Sequence, residues 1–240
     1  MNPAGEERLY FRQLLSGVDF ARLQPAAAQM VNFVYLIGDR VAKECVVVDP
    51  AWDVSSVIRE AEADGMKVSG ALLSHWHPDH AGGDLFGTPV EGLARFLELT
   101  KTKGHVHRLE AEWVRQMTGL EEPDLVLHDG GDVVRAGEVE ITLLHTPGHT
   151  PGSQCFLVEG RLVSGDTLFV GACGRVDLPG SDPDEMYRTL SERLAVLPGS
   201  TVLCPGHHYG ASRTATLDEE RRTNPYLRVP DLRTWRSMMG

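Results

Sequence analysis

The run Ser74-His75-Trp76-His77-Pro78-Asp79-His80 constrains this chain more than any other feature, because it sets three imidazoles and a carboxylate side by side. The apolar stretch Val68–Ser74 leading into it reads as a buried strand, and Gly82-Gly83 reads as the turn beyond it. The motif therefore belongs on a loop that leaves a strand end. In locally extended chain His75 and His77 project to one side. Pro78 then turns the backbone, so that Asp79 and His80 face a neighbouring point. Such an arrangement suits two adjacent metal ions better than one.

Three more strand ends deliver the same chemistry. His149 lies in Thr146-Pro-Gly-His-Thr-Pro-Gly152, after the apolar run Val139–Leu144. Asp166 lies in Ser164-Gly-Asp-Thr167, after Arg161–Val163, and His207 lies in Cys204-Pro-Gly-His207, after Thr201–Leu203. Loops carried by a rigid scaffold are where catalytic groups concentrate. Imidazole and carboxylate suit zinc, iron or manganese. The cysteines at 45, 155, 173 and 204 form no CxxC pair and occupy no ligand position, which argues against a thiolate-rich structural zinc site. Two cations sharing a water lower its pKa from 15.7 towards about 7, giving a hydroxide for attack on a carbonyl.

Composition narrows the partners. The net charge of −11 is a poor match to nucleic-acid phosphates or an anionic membrane surface. No apolar run is long enough to span a bilayer. The first residues, Met1–Arg8, lack a basic segment followed by an apolar one. The expectation is a cytoplasmic protein with reduced thiols and a small-molecule substrate, binding neither nucleic acid nor membrane. At 240 residues and 42% apolar content, one domain spanning residues 1–240 is expected.

Val31–Ile37 and Glu44–Val48 read as strands joined by a hairpin through Gly38-Asp39-Arg40, and Asp49-Pro50 as a strand-end turn, with a partner of a metal-bound histidine as the second reading of Asp49. Asp53 is placed to cap a helix over Val54–Asp64. Asp132–Arg135 with Glu138–Leu144, and Gln154–Val158 with Arg161–Val163, read as hairpins. Asp182 is placed to cap a helix whose stripe of Met186, Leu190, Leu194 and Leu197 is core. Hairpins, helix and strand thus occur twice, which predicts an α/β (α+β) fold with two sheets packed face to face and helices outside, an αββα sandwich. Residues 84–124 depart from that pattern. Pro89–Thr100 and Leu109–Thr118 read as two helices of an insertion that roofs the site. His105 and His107 are expected on a solvated loop, His128 and His145 as structural residues, and Cys173 as a small buried side chain.

The order HxHxDH, His149, Asp166, His207 resembles the ligand set of the metallo-β-lactamase superfamily across roughly residues 31–210. The resemblance implies a first metal on His75, His77 and His149, a second on Asp79, His80 and His207, and Asp166 as a bridge. It makes Asp79 and Asp166 the candidate catalytic carboxylates and calls for two divalent ions, zinc first, with iron or manganese as alternatives. His208 competes with His207 for the last place, and His207 is preferred because it directly follows Pro-Gly.

Two branches of the superfamily fit. Gly165-Asp-Thr-Leu-Phe-Val170, Cys173-Gly-Arg175, Asp184-Glu-Met186 and Gly206-His-His-Tyr209 resemble glyoxalase II, which implies hydrolysis of a thioester such as a hydroxyacylglutathione. Arg175, His208 and Tyr209 are then the candidate substrate-binding residues. Two departures concern the substrate: Asp177 stands where that family has a tyrosine, and the stretch after His207 is short for its glutathione-binding region. Tyr10-Phe-Arg-Gln-Leu14, Cys173-Gly-Arg-Val-Asp177 and Glu219-Glu-Arg-Arg-Thr-Asn-Pro225 resemble the persulfide dioxygenases. That resemblance implies one iron on His75, His149 and Asp166, a two-histidine, one-carboxylate set with open positions. The thioester hydrolase is the first expectation, the dioxygenase the second, and a non-catalytic binding protein on the same fold the third.

Overall fold

The computed structural model describes residues 8–239; the expectation about an export leader rests on residues outside that range, Arg8 excepted. Strands β1 (Leu9–Leu15) and β2 (Phe33–Asp39) run antiparallel, and β2 is buried along its whole length. A strand buried on both faces needs a layer against each. Its side chains divide by the two-residue period of a strand. Val34 and Leu36 enter a cluster beneath helices, while Phe33, Tyr35 and Ile37 enter a cluster between two sheets. β3 (Glu44–Val48) repeats the division, with Cys45 and Val47 on one side and Val46 and Val48 on the other.

The first sheet continues through β4 (Lys67–Leu72) to β7 (Gly104–His107) and β8 (Leu125–His128), all three parallel to β3. Its outer face is covered by α1 (Pro25–Met30), α2 (Val54–Ala63), α4 (Leu93–Thr100) and α5 (Ala111–Thr118). Asp53 caps α2 as expected, its carboxylate accepting the Ser56 N–H. Between β4 and α4 lie the one-turn helix α3 (Pro78–Ala81) and a hairpin of β5 (Gly83–Leu85) and β6 (Thr88–Val90).

The second sheet has the order β16-β15-β12-β11-β10-β9. These strands are β9 (Val133–Ala136), β10 (Val139–His145), β11 (Gln154–Val158), β12 (Arg161–Val163), β15 (Val202–Cys204) and β16 (Ala215–Thr216). A small hairpin, β13 (Leu168–Phe169) with β14 (Ala172–Cys173), follows β12. Ile141, Leu143 and Phe156 face the first sheet. Cys155, Leu162 and Leu203 face outward, against α6 (Pro183–Arg188), α7 (Leu217–Thr223) and α8 (Leu232–Met239). The layers are helix, sheet, sheet, helix, as the repeated half-pattern predicts. Asp182 caps α6, and Met186 on it and Leu190 and Leu194 in the turns that follow are buried.

Two features differ from the sequence expectation. Residues 84–124 do hold two helices, but not an insertion standing apart from the sheet. β7 pairs in parallel with β4 on one side and β8 on the other, so α4 and α5 are crossover helices of the first sheet. The cause lies in β7 itself. Four residues containing two histidines carry no legible apolar alternation, and only the pairing makes them a strand. His105 and His107 are therefore not on a solvated loop. His105 Nδ1 lies 2.8 Å from His128 Nε2, and His107 is buried with its ring stacked on His145. The C-terminal α7 and α8 were also not anticipated, although Trp235 of α8 is fully buried. Among the described residues no helix is long and apolar enough to cross a membrane.

Candidate metal centre

Every candidate ligand sits where a strand ends. His75 and His77 follow β4, His149 lies between β10 and β11, Asp166 follows β12, and His207 follows β15. Pro78 opens α3, with His77 at its N-cap, and this helical turn carries Asp79 and His80 away from the line of His75 and His77. The strand ends are laced together by backbone hydrogen bonds. Gln154 N–H donates to Ser74 O at 3.0 Å, Phe33 N–H to Gly206 O at 2.8 Å, and His208 N–H to Val31 O at 3.0 Å.

The structure brings seven side chains together. His75, His77 and His149 form one group, Asp79, His80 and His207 a second, and His75, His80 and Asp166 a third; within each the ligand atoms lie within 4.8 Å of one another. His149 Nε2 is 2.9 Å from His77 Nδ1 and 3.7 Å from Asp166 Oδ2. His207 Nε2 is 3.3 Å from Asp79 and 3.4 Å from Asp166.

The far side of four of the five imidazoles is tied down. His80 Nδ1 meets Asp49 Oδ2 at 3.0 Å, His149 Nδ1 meets Arg175 O at 2.8 Å, and His207 Nδ1 meets Met30 O at 2.7 Å. His75 Nδ1 lies 3.0 Å from Ser74 Oγ, whose proton goes to Asp49 Oδ2 at 2.6 Å. In these four the Nδ1 faces an outer partner and carries the proton, which directs Nε2 inward, whereas His77 turns its Nδ1 inward, 2.9 Å from His149 Nε2. His75 Nε2 and Asp166 Oδ1 are buried without a hydrogen bond. Buried polar atoms without partners are costly. Two orphaned acceptors among convergent imidazoles fit a divalent cation. This is a metal-binding site.

The protonation states follow the surroundings. Burial, and then neighbouring imidazoles, hold His75 far below the usual histidine range, and burial with His149 brings His77 to about 3. Burial also opposes charge on His80 and His207, but the carboxylates of Asp79 and Asp166 outweigh it, and His207 is pushed up to about 9. Asp79 and Asp166 stay ionised, because nearby His80 and His207 overcome their burial.

Above the cluster opens a cavity of about 510 Å³. Leu85, Phe86 and Met117 line one part of it, and Phe169, Leu178 and Tyr209 another. Segment 84–124 thus contributes to the cavity wall through the β5–β6 hairpin tip and α5. Tyr209 stacks on the His207 ring at 4.7 Å between centroids. Arg175 lines the cavity, with its guanidinium held bidentately by Asp177 at 2.9 and 2.8 Å. His208 does not line it; its ring packs edge-on against Phe33. His207, not His208, joins Asp79 and His80. Cys173 is half-buried, and burial pushes its thiol up to about 12, so it is a poor nucleophile.

A profile of the metallo-beta-lactamase superfamily matches residues 29–207, the span that carries all seven clustered side chains. The chain belongs to this superfamily. Among metallo-beta-lactamase relatives, the chain is 31% identical to the mitochondrial persulfide dioxygenase ETHE1 of Homo sapiens, over 82% of this chain and 71% of that one. The crystal structure of ETHE1 from Myxococcus xanthus superposes with a TM-score of 0.77 at 25% identity, covering 96% of this chain and 89% of that one. TTHA1623, solved in a di-iron-bound form, gives 0.65 at 28% identity, covering 82% and 96%.

Three residues of the centre carry no motif of their own. Asp49 reads as a turn residue, and it does adopt a positive φ of 53°, yet its carboxylate also anchors Ser74 and His80. Asn32 takes the Trp52 indole N–H on Oδ1 at 2.8 Å, which fixes its amide. Its Nδ2 then donates to Asp79 Oδ2 at 3.0 Å and lies 3.4 Å from His80 and His207. Glu110 is buried at the start of α5 and accepts from Trp76 N–H, Gly152 N–H and the Thr150 hydroxyl. One carboxylate so joins the loops of His75 and His149. Burial pushes it up to about 7, against the pull of those donors. Asp49-Pro50 was the only one of the three sites with a local signal. The partners of Asn32 and Glu110 are distant in sequence.

Proposed function

We propose that this protein is an iron-dependent persulfide dioxygenase, the second of the two activities expected from the sequence. The observation that carries the proposal is the likeness to persulfide dioxygenases over most of the chain, in sequence and in fold. A buttress in the structure supports it. The segment Glu219–Pro225, which resembles those enzymes, forms the last turns of α7 and the residues just past it, and clamps the β13–β14 hairpin. Asn224 Nδ2 donates to Phe169 O and Ala172 O, while Glu220 accepts from Gly171 N–H and Asn224. That hairpin carries Phe169 into the cavity.

The overall change is RSSH + O2 + H2O → RSH + H2SO3. The sulfur–sulfur bond breaks, the outer sulfur is oxidised to sulfite, O2 accepts four electrons, and the thiol departs with a proton. His75, His149 and Asp166 would hold the iron, which when bound would supply the redox chemistry toward O2 and the persulfide sulfur. The protein does the rest. Ser74 and Arg175 O orient His75 and His149 through their Nδ1 protons, and the apolar walls keep bulk water from the sulfur.

The test is metal content and turnover. Protein purified without added metal is expected to hold one iron per chain. Once iron-loaded, it should consume O2 and release sulfite in equal amounts with benzyl or glutathione persulfide. His207→Ala should retain most of this activity and Asp166→Asn should abolish it. Two zinc ions per chain, rapid thioester hydrolysis and no O2 uptake would restore the hydrolase.

A further inference from the structure

Glu110 opens α5, yet its side chain makes no capping hydrogen bond to the helix. It turns instead into the protein, where the residue is 1% exposed, and meets two loops that come from different sheets. Oε2 accepts the Trp76 N–H at 2.8 Å, between His75 and His77. Oε1 accepts the Gly152 N–H at 2.7 Å and the Thr150 hydroxyl at 2.9 Å, just after His149. The three imidazoles of the first group thus hang from backbone that one carboxylate holds on both sides. The fit is close. A Cβ on Gly152 would lie 2.7 Å from Glu110 Cγ, 2.9 Å from Oε1 and 2.9 Å from His107 Nδ1, so glycine is what lets the carboxylate reach. All three donors are neutral, and the charged and titratable groups nearby are engaged elsewhere. His107 of β7 is brought to about 4 by burial and by His145, on whose ring it stacks, and His145 Nε2 meets Pro151 O. Arg108 turns to Asp129, and Glu112 pairs with Arg115. Asp182 and Glu185 share a cavity with Thr150, where Asp182 caps α6 and Glu185 pairs with Arg188 and Arg193. A buried anion without a cation is costly. Burial accordingly brings Glu110 up to about 7, against the pull of its donors.

We infer that Glu110 is a positioning residue of the metal centre, whose carboxylate sets His149 against His75 and His77 for metal binding only while it is ionised. The reason is the balance of donors and acceptors. As an anion Glu110 accepts from all three donors, in bonds strengthened by its charge. Oε1 already takes two hydrogens, so a proton goes to Oε2. There it competes with the Trp76 N–H and removes the charge that tightens the other two bonds. A glutamine that keeps Oε1 on Thr150 and Gly152 points its NH2 at the same N–H. Glu110→Gln therefore reproduces the protonated state at every pH. The hold on the loops is complete well above about 7 and is lost as pH falls through it. The inference concerns the binding of metal and not the reaction, so it stands or falls apart from the dioxygenase reading.

Cobalt(II) is the probe, and its affinity is measured by competition with a chelator from about pH 5.5 to about pH 8. Protonation of the ligands weakens binding in parent and variant alike, so the ratio of parent to Glu110→Gln isolates Glu110. That ratio is expected to be about tenfold or more at the upper limit, the usual effect of losing such a partner. It should fall towards unity as pH drops through about 7. Far-ultraviolet circular dichroism of the metal-free proteins checks the folding of each. Thr150→Val keeps the carboxylate and carries the test should the glutamine variant not fold. It removes a donor that favours the anion, so the inflection in affinity should move to higher pH. Glu112→Gln, on the exposed side of α5, is expected to match the parent throughout. Equal affinities of parent and Glu110→Gln at every pH would overturn the inference. So would a deficit that does not change with pH, or an inflection unmoved in Thr150→Val, since either would reduce Glu110 to a structural residue. Oxygen uptake enters none of these readings, so failure of the dioxygenase reaction leaves them untouched.

Discussion

At the scale of residues, the centre works through the atoms that face away from it. His75, His80, His149 and His207 each spend Nδ1 on an outer acceptor and keep Nε2 for the cluster. Ser74 is the most economical test, because its hydroxyl links His75 to Asp49. Ser74→Ala should lower metal affinity about 10- to 100-fold, the usual effect of losing such a partner. Competition with a chromogenic chelator measures it, and an unchanged affinity would show that His75 is oriented by other means. The clustered side chains themselves are legible, since each lies in a Gly/Pro-rich loop after an apolar run. Asn32 and Glu110 are not, because an isolated polar residue gains meaning only from the backbone groups folded against it.

At the scale of elements, the loops meet so closely that they leave no room for side chains. A Cβ on Gly206 would lie 2.5 Å from Asp166 Oδ1 and 2.8 Å from Gly165 C. Gly206→Ala should push Asp166 out of place, costing about 1–3 kcal/mol of stability and most of the metal affinity. Denaturant unfolding and metal content read the two effects. A variant as stable and as metal-loaded as the parent would mean that the loops can yield. The hairpins and capped helices α2 and α6 were legible because their signals are local. β7 is not legible because a four-residue strand is defined by its neighbours, and α4 and α5 read as an insertion for the same reason.

At the scale of the whole molecule, the two sheets are tied at opposite places by different means. Near the metal centre, backbone bonds join the strand ends, and Tyr35 OH donates to Pro205 O at 2.6 Å. Away from it, Asp39 at the end of β2 accepts Glu138 N–H from the β9–β10 turn at 2.9 Å, together with Val41 N–H, Ala42 N–H and Arg8. Burial opposes the charge on Asp39, but these donors outweigh it and bring its pKa from 3.8 to about 2. A carboxylate depressed by folding stabilises the protein above its unfolded pKa. Its contribution is full above 3.8 and disappears as pH falls through about 2. Asp39→Asn should therefore cost about 1–3 kcal/mol near neutrality, and the gap from the parent should close across that acid window. Urea titrations at several pH values would show it, and a gap independent of pH would remove Asp39 as the source.

The sequence by itself determined the donor atoms of the site and the layering. Histidine and aspartate at strand ends dictate a metal site, and strands buried on both faces dictate sheets covered by helices. Tertiary structure decided what depends on residues far apart in the chain. It joined β7 to its sheet, tied Arg175 to Asp177, and set Phe86 in the lining of a largely apolar cavity. The division is physical. Ligand type, turn residues and periodicity act over a few neighbours, whereas pairing, burial and charge compensation exist only once distant segments meet.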